Sequence, residues 1–108
     1  MAYKIHVLSQ YYYGFDCRSG LPYFQLWSET GNAKVRFVKD EVDPPDLTFS
    51  NDLTEARIYL RQSDFPHIVD LLRNERPVKL TINNQPPGFV FLHTGEWEPT
   101  GEEESSLQ

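Results

Sequence analysis

Most of the chain alternates apolar and polar residues with a period of two, and one stretch switches to a helical period. Tyr3, Ile5 and Val7 alternate with Lys4 and His6. That pattern predicts a first strand over Tyr3–Tyr13 with the apolar set turned to the core. Gly14 to Pro22 holds Asp16, Arg18, Ser19 and Gly20 and reads as a loop. Tyr23–Trp27 is a second strand, with Phe24 and Leu26 inward and Gln25 and Trp27 outward. Ser28 to Asn32 turns it into a third, Ala33–Val38, which buries Ala33, Val35 and Phe37 and exposes Lys34 and Arg36. Glu55–Leu60 predicts a fourth strand, with Ala56, Ile58 and Leu60 opposed to Arg57 and Tyr59. Val78–Ile82 and Phe89–His93, joined through Asn83–Gly88, form a second hairpin, with Lys79 and Thr81 facing out. The acidic stretch Lys39 to Thr54, with Pro44–Pro45, reads as a long loop containing an extended piece near Leu47–Phe49; an extra edge strand is the alternative.

The helical stretch is SDFPHIVDLLRNERP, Ser63 to Pro77. Phe65, Ile68, Val69 and Leu72 fall at i, i+3, i+4 and i+7, and Leu71 widens their stripe. Ser63 or Asp64 offers an N-cap oxygen, Pro66 falls in the first turn, and Pro77 prevents continuation. A helix this short must bury its stripe, and only a sheet is available to bury it. The predicted fold is α+β, in the order β-β-β-β-α-β-β: a single antiparallel sheet of about six strands with the helix on one face.

A length of 108 residues suits one domain, placed at residues 1–98. Residues 99–108, with Glu102, Glu103 and Glu104, read as an acidic, solvated tail. The net charge of −6 disfavours general attraction to nucleic acid or anionic membranes. One cysteine, Cys17, excludes an internal disulfide and a cysteine-based zinc site. No apolar run reaches membrane-spanning length, and the start of the chain lacks signal-peptide character, so the expected location is cytoplasmic.

His6, His67 and His93 sit in separate elements and read as partly exposed residues with no shared role; no HExxH or Cys/His cluster accompanies them. Cys17 lies in a polar loop, and no nucleophile elbow or phosphate-binding glycine motif is present. No catalytic residue, metal ligand or cofactor is assigned. The outward sheet positions differ: Lys4, His6, Trp27, Lys34, Arg36, Arg57, Tyr59 and Lys79 gather cations and aromatics in an acidic protein. Of these, Trp27, Lys34, Arg36, Arg57, Tyr59 and Lys79 are the candidate binding residues. They suit a protein partner or a second copy of the chain; single-stranded nucleic acid is the alternative. A small enzyme is the weakest of the three readings. Ordinary solvation of exposed strand positions would explain the same residues without any function.

The order of elements through RIYL into SDFPHIVDLL resembles the β-β-β-β-α unit of PUR and Whirly-type single-strand-binding domains, over about Tyr3 to Asn74. The segments LLRNERPVKL and TGEWEPTGEEE are similar to small bacterial proteins of unknown function. That second resemblance implies a cytoplasmic bacterial protein and transfers no catalytic residue.

Overall fold

The computed structural model describes residues 2–94, and both the expected domain end at 98 and the expected acidic tail lie outside them. The described chain is α+β: β1 (Tyr3–Val7), β2 (Gln10–Asp16), β3 (Leu21–Trp27), β4 (Asn32–Val38), β5 (Thr48–Phe49), β6 (Glu55–Arg61), α1 (Phe65–Asn74), β7 (Lys79–Asn83) and β8 (Phe89–His93). A single 3₁₀ turn, Gln62–Asp64, leads into α1.

The expected single antiparallel sheet is instead two sheets. One has three strands in the order β1-β7-β8, and the other has five in the order β2-β3-β4-β6-β5. Tyr3–Tyr13 does not stay on one sheet. The Leu8 N–H donates to the Val78 carbonyl at 2.9 Å, and the next N–H, of Ser9, donates to the Trp27 carbonyl at 3.0 Å. Successive amides of an extended chain point to opposite sides, so the strand passes from β7 to β3 at that step. β2 then runs on to Asp16 and meets β3 through a tight turn, where a loop was expected. β4 and β6 are parallel. Parallel neighbours cannot be joined by a tight turn, which is why the chain needs the long segment between Val38 and Glu55. That segment carries β5, the edge-strand alternative, antiparallel to β6.

The core joins both sheets. Phe24, Leu26, Ala33, Val35, Phe37 and Ala56 are buried as expected, and meet Leu80 and Ile82 of β7 and Leu53 of the β5–β6 turn. Phe65 opens α1, stacks on Phe24 with ring centroids 5.6 Å apart, and meets Phe37 edge-on at 5.5 Å. Phe65, Ile68, Val69 and Leu72 are the packed stripe, each half-buried. Neither expected N-cap oxygen caps α1. Asp64 Oδ2 accepts the Arg61 N–H at 3.2 Å, and the Ser63 N–H donates to Asp40 Oδ1 at 2.8 Å.

In β1 the expected inward set faces out, and of the opposite set His6 is buried while Lys4 stays exposed. Tyr3, Ile5 and Val7 are exposed, and His6 is 1% exposed. Pairing with β7 explains the exchange, because residues directly opposite share a face. His6 lies opposite Leu80 and Lys4 opposite Ile82, so β1 in this register must turn His6 inward. The ring is fully partnered there. Its Nε2 lies 2.8 Å from the Leu53 carbonyl and its Nδ1 2.7 Å from the Thr30 hydroxyl. A carbonyl only accepts, so Nε2 carries a hydrogen and donates it to Leu53, while Nδ1 is partnered by the Thr30 hydroxyl. Gly31 makes the approach possible: a Cβ there would lie 2.7 Å from both the imidazole and the Thr54 carbonyl.

Leu53 holds its carbonyl in place from a left-handed backbone, φ 61°. Such a conformation costs a leucine on the order of 1–3 kcal/mol. Burial of its side chain offsets about 1.5–3 kcal/mol of that. The turn is further braced by Asp52 Oδ1, which accepts from the hydroxyls of Ser50 and Thr54, each at 2.7 Å. Those two bonds, Ser50 first, lower the Asp52 carboxyl to about 2.

Two outcomes follow for stability. His6→Ala leaves the Leu53 carbonyl unpaired in a cavity and should cost more than about 2 kcal/mol in a urea melt. Ile5→Ala, on the solvent face, should cost within about 0.5 kcal/mol. The reverse ranking would show that β1 buries its other face.

The Asp52 effect has a definite sign. The folded value lies below the ordinary 3.8, so the carboxylate stabilises the fold above pH 3.8 and the contribution is lost as pH falls toward 2. Asp52→Ala should therefore lower the melting temperature at neutral pH, and the gap to wild type should close in acid. A gap that persists unchanged near pH 2 contradicts the bracing role.

Candidate binding surface

The inner face of the five-stranded sheet is spent on the core, so period two sends a complementary set outward. Register arranges that set in three rows across the strands. Gln10, Trp27, Asn32 and Glu55 form the first row; Tyr12, Gln25, Lys34, Arg57 and Thr48 the second; Gly14, Tyr23, Arg36 and Tyr59 the third. Five of the six candidate residues, Trp27, Lys34, Arg36, Arg57 and Tyr59, thus lie on one face. Lys79 does not join them: it belongs to the three-stranded sheet, opposite Val7 and His93. Lys4 is likewise on β1, and His6 is buried. Sequence reasoning missed Tyr12 and Tyr23. The alternation Tyr23, Gln25, Trp27 carries the second. The first becomes readable once β2 is known to run through Gly14.

The electrostatics of the face are unbalanced. Lys34 lies directly opposite Arg57, like charges on neighbouring strands. Among the described residues none of Lys34, Arg36 and Arg57 has a carboxylate within 4.0 Å, and the ion pair present is Arg61–Asp43 at 2.9 Å. Arg36 lies over the Tyr23 ring, 5.5 Å from its centroid. Asp16, at the end of β2, spends its carboxylate on its own turn. It accepts the Arg18 N–H at 2.8 Å and the Ser19 N–H at 3.4 Å. Those backbone bonds hold its carboxyl below the ordinary value, with Arg36 the least of the causes.

Shape follows from side-chain size. Tyr23 lies across Gly14, where a Cβ would fall 2.2 Å from its ring. Between the Tyr23 ring and Trp27 runs an open depression of about 630 Å³, which Gln10, Tyr12 and Gln25 also line. A smaller one of about 80 Å³ lies among Lys34, Arg36, Arg57 and Tyr59. Trp27 is 48% exposed. The arrangement offers three cations and exposed ring faces on a broad surface, suited to contact along a chain rather than to enclosing a small molecule.

Other chemistry is sparse among the described residues. No three His, Cys, Asp or Glu side chains come together. Cys17 is exposed in the β2–β3 turn. His67 is exposed on α1, and His93 Nε2 shares a hydrogen with the Thr81 hydroxyl at 2.7 Å. No helix is long and apolar enough to cross a membrane. No family model, curated protein or solved structure matches the chain.

Proposed function

We propose that the chain is a non-enzymatic binding module that takes an extended acidic protein segment on the outer face of its five-stranded sheet. One observation carries this reading: among the described residues Lys34, Arg36 and Arg57 share a face without a carboxylate partner, and two of them stand directly opposite each other. Like charges on adjacent strands cost stability, and an arriving carboxylate removes that cost while gaining charge-assisted hydrogen bonds. Trp27, Tyr12 and Tyr23 add flat apolar area of the kind interface centres favour.

A second reading, single-stranded nucleic acid, draws on the same three rings, since bases stack on exposed aromatics. The net charge of −6 repels any polyanion at a distance, and an oligonucleotide, charged at every residue, more than a protein segment whose carboxylates are interspersed with neutral residues.

Fluorescence anisotropy with a labelled glutamate-rich peptide and with oligothymidylate separates the two. The peptide should bind, Arg36→Ala and Arg57→Ala should each weaken it about tenfold, equivalent to about 1.4 kcal/mol, and Lys79→Ala should leave it unchanged. Tighter oligothymidylate binding that falls steeply with salt transfers the face to nucleic acid. Binding of neither probe removes the proposal.

A further inference from the structure

Among the described residues β2 is an unpaired edge of the five-stranded sheet, without the features that normally protect one. Edge strands are blunted by brevity, proline, charge or a covering element. β5, the opposite edge, is two residues long. β2 has seven, with no proline and no charge before Asp16. Its side chains are large and open instead: Tyr11, Tyr12, Tyr13 and Phe15 are between 41% and 61% exposed. Tyr11, Tyr13 and Phe15 sit on the core side of the sheet, opposite Leu26, Phe24 and Pro22. Phe65 reaches Tyr13, with centroids 5.8 Å apart, and beyond that contact an apolar groove of about 440 Å³ opens between β2 and α1. Tyr11, Val69 and Arg73 help to line it.

We propose that the occupant of this edge is the β2 strand of a second copy, paired antiparallel about a twofold axis at Tyr13. Full overlap of Gln10–Asp16 with itself permits only that centre, and the pairs it creates are complementary. Gln10 meets Asp16, an amide donor against a carboxylate. Tyr11 meets Phe15 on the core side, where both rings are otherwise exposed. Tyr12 meets Gly14, the one position without a side chain, over which Tyr23 already lies. No like charges are brought together, because the only charged residue of β2 falls at opposite ends of the pair. A twofold pairing of this kind is the self-complementary geometry that homodimers use.

The area is sufficient. The exposed parts of the four rings amount to about 400 Å² per copy, taking roughly 200 Å² for a whole aromatic side chain. The paired main chains and the flank of α1 bring the total over both copies to about 1,200 Å², where specific interfaces begin. The result is one ten-stranded sheet whose two basic, aromatic faces become continuous.

Sedimentation of the full chain over a concentration series tests the proposal. A dimer that dissociates on dilution is expected. Phe15→Lys, a charge placed on the core side of the edge, should shift it to monomer while circular dichroism stays unchanged and the urea midpoint matches that of the wild type diluted to monomer. Cross-linking tests the register without relying on that variant. Opposed strand residues have Cα atoms about 4.5–5.5 Å apart, within disulfide range. Tyr13→Cys in a Cys17→Ser background should therefore oxidise to a covalent dimer, and Phe91→Cys in the same background should not. Monomer mass at every concentration overturns the proposal and leaves the edge to an extended segment of another protein. A dimer that survives Phe15→Lys and gives no Tyr13→Cys cross-link overturns it equally. Failure of the acidic peptide to bind would not change either readout.

Discussion

The imidazole of His6 ties three separate parts of the chain to one point. It belongs to β1, and its two nitrogens reach the β3–β4 turn at Thr30 and the β5–β6 turn at Leu53. A buried polar ring without partners costs more than a good hydrogen bond returns, so the site works only when both turns are in place. Much of the neighbouring backbone is arranged to that end. Gly31 gives the ring room, and Ser28 holds the turn around it, its Oγ accepting the Gly31 N–H at 2.8 Å. Leu53 adopts a left-handed backbone in a turn that Ser50, Asp52 and Thr54 brace. In this way the three-stranded sheet is fixed over the turn end of the five-stranded one, and α1 covers the Phe24–Phe37 end.

The same constraint decides what is left open. With His6 inward, Tyr3, Ile5 and Val7 must point out, on the face that also carries Phe89 and Phe91. Those two phenylalanines stack with an interplanar angle of 11°. The molecule therefore has an apolar face on its small sheet and a basic, aromatic one on its large sheet. They differ in kind. The apolar face has one cation of its own on β7, Lys79, whereas the large sheet places Lys34, Arg36 and Arg57 side by side among rings. A carboxylate-bearing chain gains from the second and little from the first.

Strong local patterns were legible in the sequence. The stripe Phe65, Ile68, Val69, Leu72 and the strands on either side of the Ser28–Asn32 turn follow from period alone. Five outward residues of the large sheet were readable for the same reason, since the inward partners Phe24, Leu26, Val35 and Phe37 are plainly more apolar. β1 was misread because period two gives alternation without direction. Tyr3, Ile5 and Val7 look like the core set until the partners of His6 are known, and these lie 24 and 47 residues away. The division into two sheets rests on a change of partner between two successive amides, Leu8 and Ser9, which leaves no mark on side-chain polarity. The parallel β4–β6 pair was hidden for a related reason: the long acidic segment looked like a loop rather than the crossover that pair requires. With β1 in the other sheet, Lys79 could not share a surface with Trp27.

The central claim is that the large-sheet face is the working surface. Mapping NMR shifts of the backbone amides and the Trp27 indole N–H during titration with a glutamate-rich peptide tests it most directly, because the two open faces belong to different strands. Shifts are expected at Tyr23, Trp27, Lys34, Arg36 and Arg57, with Ile5, Thr81 and Phe91 unmoved. Shifts confined to Ile5, Thr81 and Phe91 would contradict it and move the function to the three-stranded sheet.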